Sequence, residues 1–238
     1  GKPLWLGMSD IKGKTILLHA EQGYGDTIQF CRYAKQVAAM GARVAMYVPS
    51  SLLPLLDGLT GVDAMSDQIT KLPPADVQCP LLSLPLACKT RLTDVSGVAY
   101  LQAPPRYIDT WTERLDVQLD KPTRPRVGVM WSGNSAHRND MHRSIPLAQF
   151  RQILSLDVDF FSLQNFTHEA ELPLLAQCKN LLRFDDLLKN FADTAALISA
   201  MDMVITVDTS VAHLAGALGK PVWILLPLNR DWRWLLER

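Results

Sequence analysis

Apolar and polar positions follow one another along this chain in blocks that switch between two periods. Thr15–His19 (TILLH) is a short run that is apolar on both faces, the pattern of a fully buried strand. Gly41–Val48 (GARVAMYV) is a second such run, and between the two Ile28, Cys31, Ala34, Val37 and Ala38 recur at helical spacing. Further strand-like runs follow at Arg126–Trp131, Val158–Leu163, Met203–Val207 and Val222–Leu226. Helical patterns at Leu147–Leu156, Asp193–Ala200 and Val211–Leu218 separate these later runs. Buried strands alternating with helices predict an α/β fold whose parallel sheets are built from right-handed strand–helix–strand units.

The same grammar starts twice. Segment Leu119–Arg126 (LDKPTRPR) carries two prolines and four charged residues and has little to bury, so it is expected to be a linker. On either side a strand runs into a glycine-containing turn and then a helix, as TILLHAEQGYGD and as VGVMWSGN. Two Rossmann-like domains, 1–120 and 121–238, are therefore expected to face a cleft at the C-terminal ends of their strands. The second half stops inside a predicted helix, Asp231–Arg238, as a domain truncated at its C-terminus would.

Composition narrows the function. Of 238 residues 48% are hydrophobic and 20% charged, and 24 basic side chains balance 24 acidic ones. A formal charge of zero removes the bulk attraction that nucleic acid or an anionic membrane would use. Apolar stretches such as Val222–Leu228 are far shorter than the roughly 20 residues of a transmembrane helix, and no signal-peptide pattern opens the chain. Cys31, Cys79, Cys88 and Cys178 have no metal-site spacing and are expected to be free thiols, in keeping with a cytoplasmic protein.

Three loops carry candidate chemistry. The first, His19–Asp26, lies where a strand ends and a helix begins, and Gly23 and Gly25 allow close backbone approach there. Its G-Y-G-D-T-I spelling has Ile28 where a dinucleotide fingerprint needs a third glycine, which argues against a dehydrogenase. Asp26 is placed either to cap the helix or to act as a general base toward a hydroxyl, in a turn crowded by His19, Glu21 and Gln22. The second loop, Asn134–Ser144, holds His137, Arg138, His142 and Arg143 without hydrophobic period; its arginines suit either solvent or a phosphate. No cysteine or paired carboxylate joins its histidines into a metal set, and Asp140 alone does not make one.

The third loop is the most pointed. Strand Met203–Val207 runs through Asp208-Thr209-Ser210 into a helix carrying His213. Thr209 or Ser210 can cap that helix, and the free amides of its first turn, at the positive end of the dipole, suit a pyrophosphate. Lys220 is expected to be a solvated turn residue. Asp157-Val158-Asp159 leads into a strand rather than out of one, so its D-x-D spelling is taken as turn chemistry. Asp185 and Asp186 are taken as loop carboxylates, and Trp223, Trp232 and Trp234 as packing residues.

Together HAEQGYGDTIQFCRY, VGVMWSGN, HRNDMHRSIPL, FADTAALI and VITVDTSVAHLAGALGKPVWILLP followed by DWRWLLER resemble the catalytic region of bacterial tetratricopeptide-repeat glycosyltransferases. That group is similar to the heptosyltransferases of glycosyltransferase family 9 and, more remotely, to O-linked N-acetylglucosamine transferases. The resemblance implies a GT-B architecture, with the acceptor bound mainly by the first domain and a nucleotide-sugar by the second, and helical repeats upstream. It implies that Asp26 falls at the catalytic base, and that Asp208, Thr209 and His213 fall in the donor motif, with Ser210 in place of its usual glycine. It places Arg143 near a phosphate-contacting basic residue.

The expected function is a metal-independent inverting glycosyltransferase that needs no cofactor. Asp26 would deprotonate an acceptor hydroxyl, and Ser210, Thr209, His213 and Arg143 would receive the departing nucleoside diphosphate. Gln164 would line the nucleotide pocket. The partners are a nucleotide-sugar donor and a glycan, lipid or protein acceptor, with no nucleic acid. The alternatives are a non-catalytic nucleotide-sugar-binding module and a sugar-nucleotide epimerase.

Overall fold

The first strand, β1 (Thr15–His19), buries Ile16 and Leu18 completely on one face, with Leu17 half-buried on the other. This computed structural model describes residues 1–118, 124–134 and 140–235. His137 and Arg138, and most of the expected linker, lie outside the described residues.

From β1 the chain enters α1 (Tyr24–Phe30) and α2 (Tyr33–Ala39), which share the one expected helical pattern. Strand β2 (Arg43–Tyr47), single-turn helix α3 (Leu53–Leu56), β3 (Ala64–Ser66), β4 (Val77–Pro80) and single-turn α4 (Leu84–Ala87) complete a first sheet in the order β3-β2-β1-β4. All its pairs are parallel, with Leu17 of β1 opposite Ala45 on one side and Gln78 on the other.

Helix α5 (Pro105–Gln118) leads toward the second half. There β5 (Arg126–Met130) is followed by the single-turn helices α6 (Asp140–Arg143) and α7 (Leu147–Phe150), then β6 (Asp159–Ser162), single-turn α8 (Leu172–Leu175) and β7 (Leu181–Leu182). Helix α9 (Phe191–Ser199), β8 (Met203–Val207), α10 (Ser210–Ala217) and β9 (Val222–Leu225) close the chain. The second sheet is also parallel throughout, in the order β7-β6-β5-β8-β9. In both sheets the order reverses beside the first strand, between β1 and β4 and between β5 and β8. Parallel α/β sheets bind ligands outside the strand ends at such points.

One apolar cluster runs from the first sheet through α5, α9 and α10 to Phe161 and Leu163 of the second, while Val127, Val129, Phe160 and Ile205 face a separate cluster on that sheet's other side. Helix α5 buries Trp111 and Leu115 one turn apart. Trp111 meets Phe184 edge-on at 5.2 Å and donates its indole N–H to buried Asp193 of α9 at 3.2 Å.

Several local expectations need correction. The helix expected over Leu147–Leu156 breaks after α7: Arg151 donates four residues back, to Leu147, but Gln152 donates three back, to Gln149, and a 3₁₀ turn follows at Ile153–Ser155. The helix expected from Asp231 is a 3₁₀ turn, Trp232–Trp234, capped by Asp231 and ended where Leu235 swings to φ 56°. Lys220 is no solvated turn residue. Its ammonium donates to the carbonyls of Ser199 (2.7 Å) and Met201 (2.8 Å), where α9 ends and leaves acceptors unpaired. All four cysteines are free, and burial pushes the thiols of Cys31 and Cys79 up to about 12 and that of Cys88 to about 11.

Candidate active site

A cavity of about 2250 Å³ opens at the C-terminal ends of both sheets, lined by loops that follow β1, β5, β6 and β8. The candidates Gly23, Gly25, Asp26, Arg143, Gln164, Asp208, Thr209, Ser210 and His213 all contribute to its wall. His142, exposed, lines it as well, whereas His19 is turned to Gln78 on β4.

The loop after β8 is built by its own polar groups. Thr209, not Ser210, caps α10, accepting the Val211 amide at 3.3 Å, and its hydroxyl also meets that of Thr206. Ser210, the first residue of the helix, is half-buried on the cavity wall, while Val211 and Ala212 behind it are buried. Arg143 reaches this loop from α6: Nη1 donates to the Asp208 carbonyl at 2.9 Å, and Nε pairs with Asp140 at 3.2 Å. Gly133 makes room for that pair, since a Cβ there would stand 2.6 Å from both the Arg143 guanidinium and the Asp140 carboxylate.

Gln164 is 4% exposed and spends its amide on the loop after β5. It accepts the Ser132 N–H at 3.3 Å and donates to the Ser132 hydroxyl at 2.6 Å. The neighbouring Phe166 stands exposed on the cavity wall. Asp185 ties down that loop by accepting from Thr167 and from Arg183, so it does more than solvate a turn.

The loop after β1 lies directly against α10. A Cβ on Gly25 would fall 2.6 Å from Cδ2 of His213 and 3.5 Å from the Ser210 Cα, so only glycine lets α1 and α10 meet this closely. Asp26 closes the first turn of α1, its Oδ2 accepting the Gly23 N–H at 3.0 Å. Its Oδ1 accepts from Arg233, in an ion pair whose side chains are 14% and 11% exposed.

Arg233 and Trp234 come from the turn after β9, and sequence reasoning assigned neither a role here. Trp234 stacks on His213 at 4.9 Å between ring centres and 21° between planes. Trp223 and Trp232 are about two-thirds exposed, so the three tryptophans do not form the packing cluster expected of them. Burial, reinforced by the Arg233 cation and opposed by Asp26 and Asp231, lowers the His213 imidazole to about 4. At neutral pH His213 is thus an uncharged ring able to give or take a hydrogen bond.

The sequence pattern of glycosyltransferase family 9 (heptosyltransferase) matches residues 176–225, the stretch that contains α9, β8 and the whole α10 loop. A glycosyl transferase family 9 protein from Veillonella parvula superposes with a TM-score of 0.69 at 10% identity, covering 93% of this chain and 84% of that one. ADP-heptose LPS heptosyltransferase II of E. coli gives 0.62 at 14% identity, covering 88% and 84%. The family match takes in the loop that begins α10, and the two superpositions show a shared fold. Protein FlbA of Caulobacter vibrioides is 24% identical over 246 residues, covering 93% of this chain; the chain spans 40% of that relative's length. Among the described residues, no helix is long and apolar enough to cross a membrane, and no group of three His, Cys, Asp or Glu side chains is arranged to hold a metal ion.

Proposed function

We propose that the chain is the transfer region of a metal-independent, inverting glycosyltransferase of GT-B form, in which 1–120 presents the acceptor and 121–238 holds a nucleotide-sugar. The observation that carries this reading is the direct packing of Gly25 on His213, which sets Asp26 beside the start of α10 on one cavity. Asp26 takes the proton of an acceptor hydroxyl as its oxygen bonds to the anomeric carbon. The bond from that carbon to the diphosphate breaks, and the nucleoside diphosphate leaves with the electron pair.

The charge that develops on the leaving group meets the Ser210 amide and the dipole of α10, with Arg143 held alongside. His213 contributes a neutral hydrogen bond rather than a cation. Asp208 and Thr209 shape this loop, and Gln164 lines the same cavity. No cofactor takes part in this scheme. The name of the E. coli neighbour makes an ADP-sugar the first donor to test, with a glycan, lipid or protein as acceptor. Helical repeats upstream and a cytoplasmic setting belong to the same reading.

Replacing Asp26 by Asn tests it. Transfer is expected to fall by about 10³-fold or more while binding of the nucleoside diphosphate is retained, since a general base typically contributes about 10²–10⁴-fold. Equal loss of both would make Asp26 a helix cap. The ion pair between Asp26 and Arg233 favours a second reading, a nucleotide-sugar-binding module without turnover, because the base is already engaged. Binding of ADP-, UDP- or GDP-sugars without transfer or hydrolysis would select it.

A further inference from the structure

We infer that Arg233 is a positioning residue for Asp26, and this rests on the reading of Asp26 as the base. Arg233 is itself held before it reaches the carboxylate. Its Nη1 donates to Asp231 Oδ1 at 2.7 Å, its backbone N–H donates to the same oxygen at 3.0 Å, and its guanidinium lies 4.9 Å from the centre of the Trp232 ring. Nη2 is left to meet Asp26 Oδ1.

A carboxylate turns about two torsions, and here both of its oxygens are anchored. Oδ2 takes the Gly23 N–H from within its own turn, and Oδ1 takes Arg233 from 207 residues away. An ionised carboxylate offers about four lone-pair directions, so this clamp leaves room to accept a proton from an acceptor hydroxyl. The pair is largely out of water, where a charged hydrogen bond holds geometry better than an exposed ion pair does. The next residue, Trp234, stacks on His213. One turn after β9 thus sets the candidate base and the ring on the donor helix against each other. Misplacing a reacting group by about 1 Å can cost on the order of 10²-fold in rate.

The test is steady-state transfer by the full chain, using whichever of ADP-, UDP- and GDP-sugars the wild-type protein turns over. It compares R233M, R233K, D26N and the double variant D26N/R233M, with binding of the matching nucleoside diphosphate measured alongside. R233M is expected to lose about 10²-fold in kcat with the donor KM within twofold, and R233K, which keeps a charge to pair with Asp26, to regain part of the loss. The double variant is expected to match D26N alone, because a residue that acts only through another adds nothing once that partner is gone. Three results would overturn the assignment: R233M within twofold of wild type, a loss carried in donor KM and nucleotide binding, or losses that multiply in the double variant. If D26N keeps full activity, the base reading falls and this one with it. If D26N is inactive while R233M is unaffected, Arg233 alone is misassigned.

Discussion

Gly25 and His213 touch so closely that a Cβ on the first would stand 2.6 Å from Cδ2 of the second. The loop after β1 and helix α10 after β8, 188 residues apart by these numbers, are thereby fixed against each other. Replacing Gly25 by Ala is expected to cost about 1–3 kcal/mol through overpacking. His213→Ala in the same chain, which removes the obstructing ring, is expected to restore much of the loss. Melting temperatures of the two single variants and the double variant check this, and simple additivity would contradict it.

The His213 imidazole binds its proton only at about pH 4 in the folded protein, against about 6.5 for an unperturbed histidine. Between those values the unfolded chain holds more protons than the folded one, so stability falls as pH drops through the window and is fully present above 6.5. The difference is worth up to roughly 3 kcal/mol. Asp26 and Asp231 favour the charged ring while Arg233 and burial oppose it, so the net direction depends on burial outweighing the two carboxylates. Urea melts from pH 7 to pH 4 are expected to show a steeper loss for wild type than for His213→Gln, and parallel slopes would refute the assignment.

Lys220 ties the turn before β9 to the end of α9 through two carbonyls. Lys220→Met is expected to cost about 1.5–3 kcal/mol, the range for hydrogen bonds to a charged group, and to lower the melting temperature by several degrees. Nucleotide binding is expected to stay unchanged, because Lys220 is not among the residues of the cavity wall. A matching loss of binding would place Lys220 in the site after all.

Much of this architecture was legible because buried parallel strands are apolar on both faces. Met203–Val207 and Thr15–His19 stand at their expected bounds, and β5, β6 and β9 lie within a residue of theirs. Strands β3 and β7, of three and two residues, are too short to show a period, and α5 reveals its buried face only through Trp111 and Leu115. The loop after β8 was legible at Thr209 because a cap is a local device. Arg233 was not, since its partner lies 207 residues away and no spacing encodes such a contact. Lys220 misled for a similar reason: glycine and proline on either side mark a turn, but its ammonium binds a helix end distant in sequence. The block DWRWLLER reads from sequence as a helix with packing tryptophans, and only the tertiary structure shows Trp234 stacked on His213 and Arg233 paired with Asp26.

A nucleoside diphosphate is expected to dock on the start of α10 beside Asp26. A crystal structure of the chain with ADP tests it most directly. The diphosphate is expected within hydrogen-bonding distance of the Ser210 amide and in reach of Arg143, with the Asp26 carboxylate facing the same space. Density for the diphosphate elsewhere on the molecule, with the α10 start left bare, would rule this docking site out.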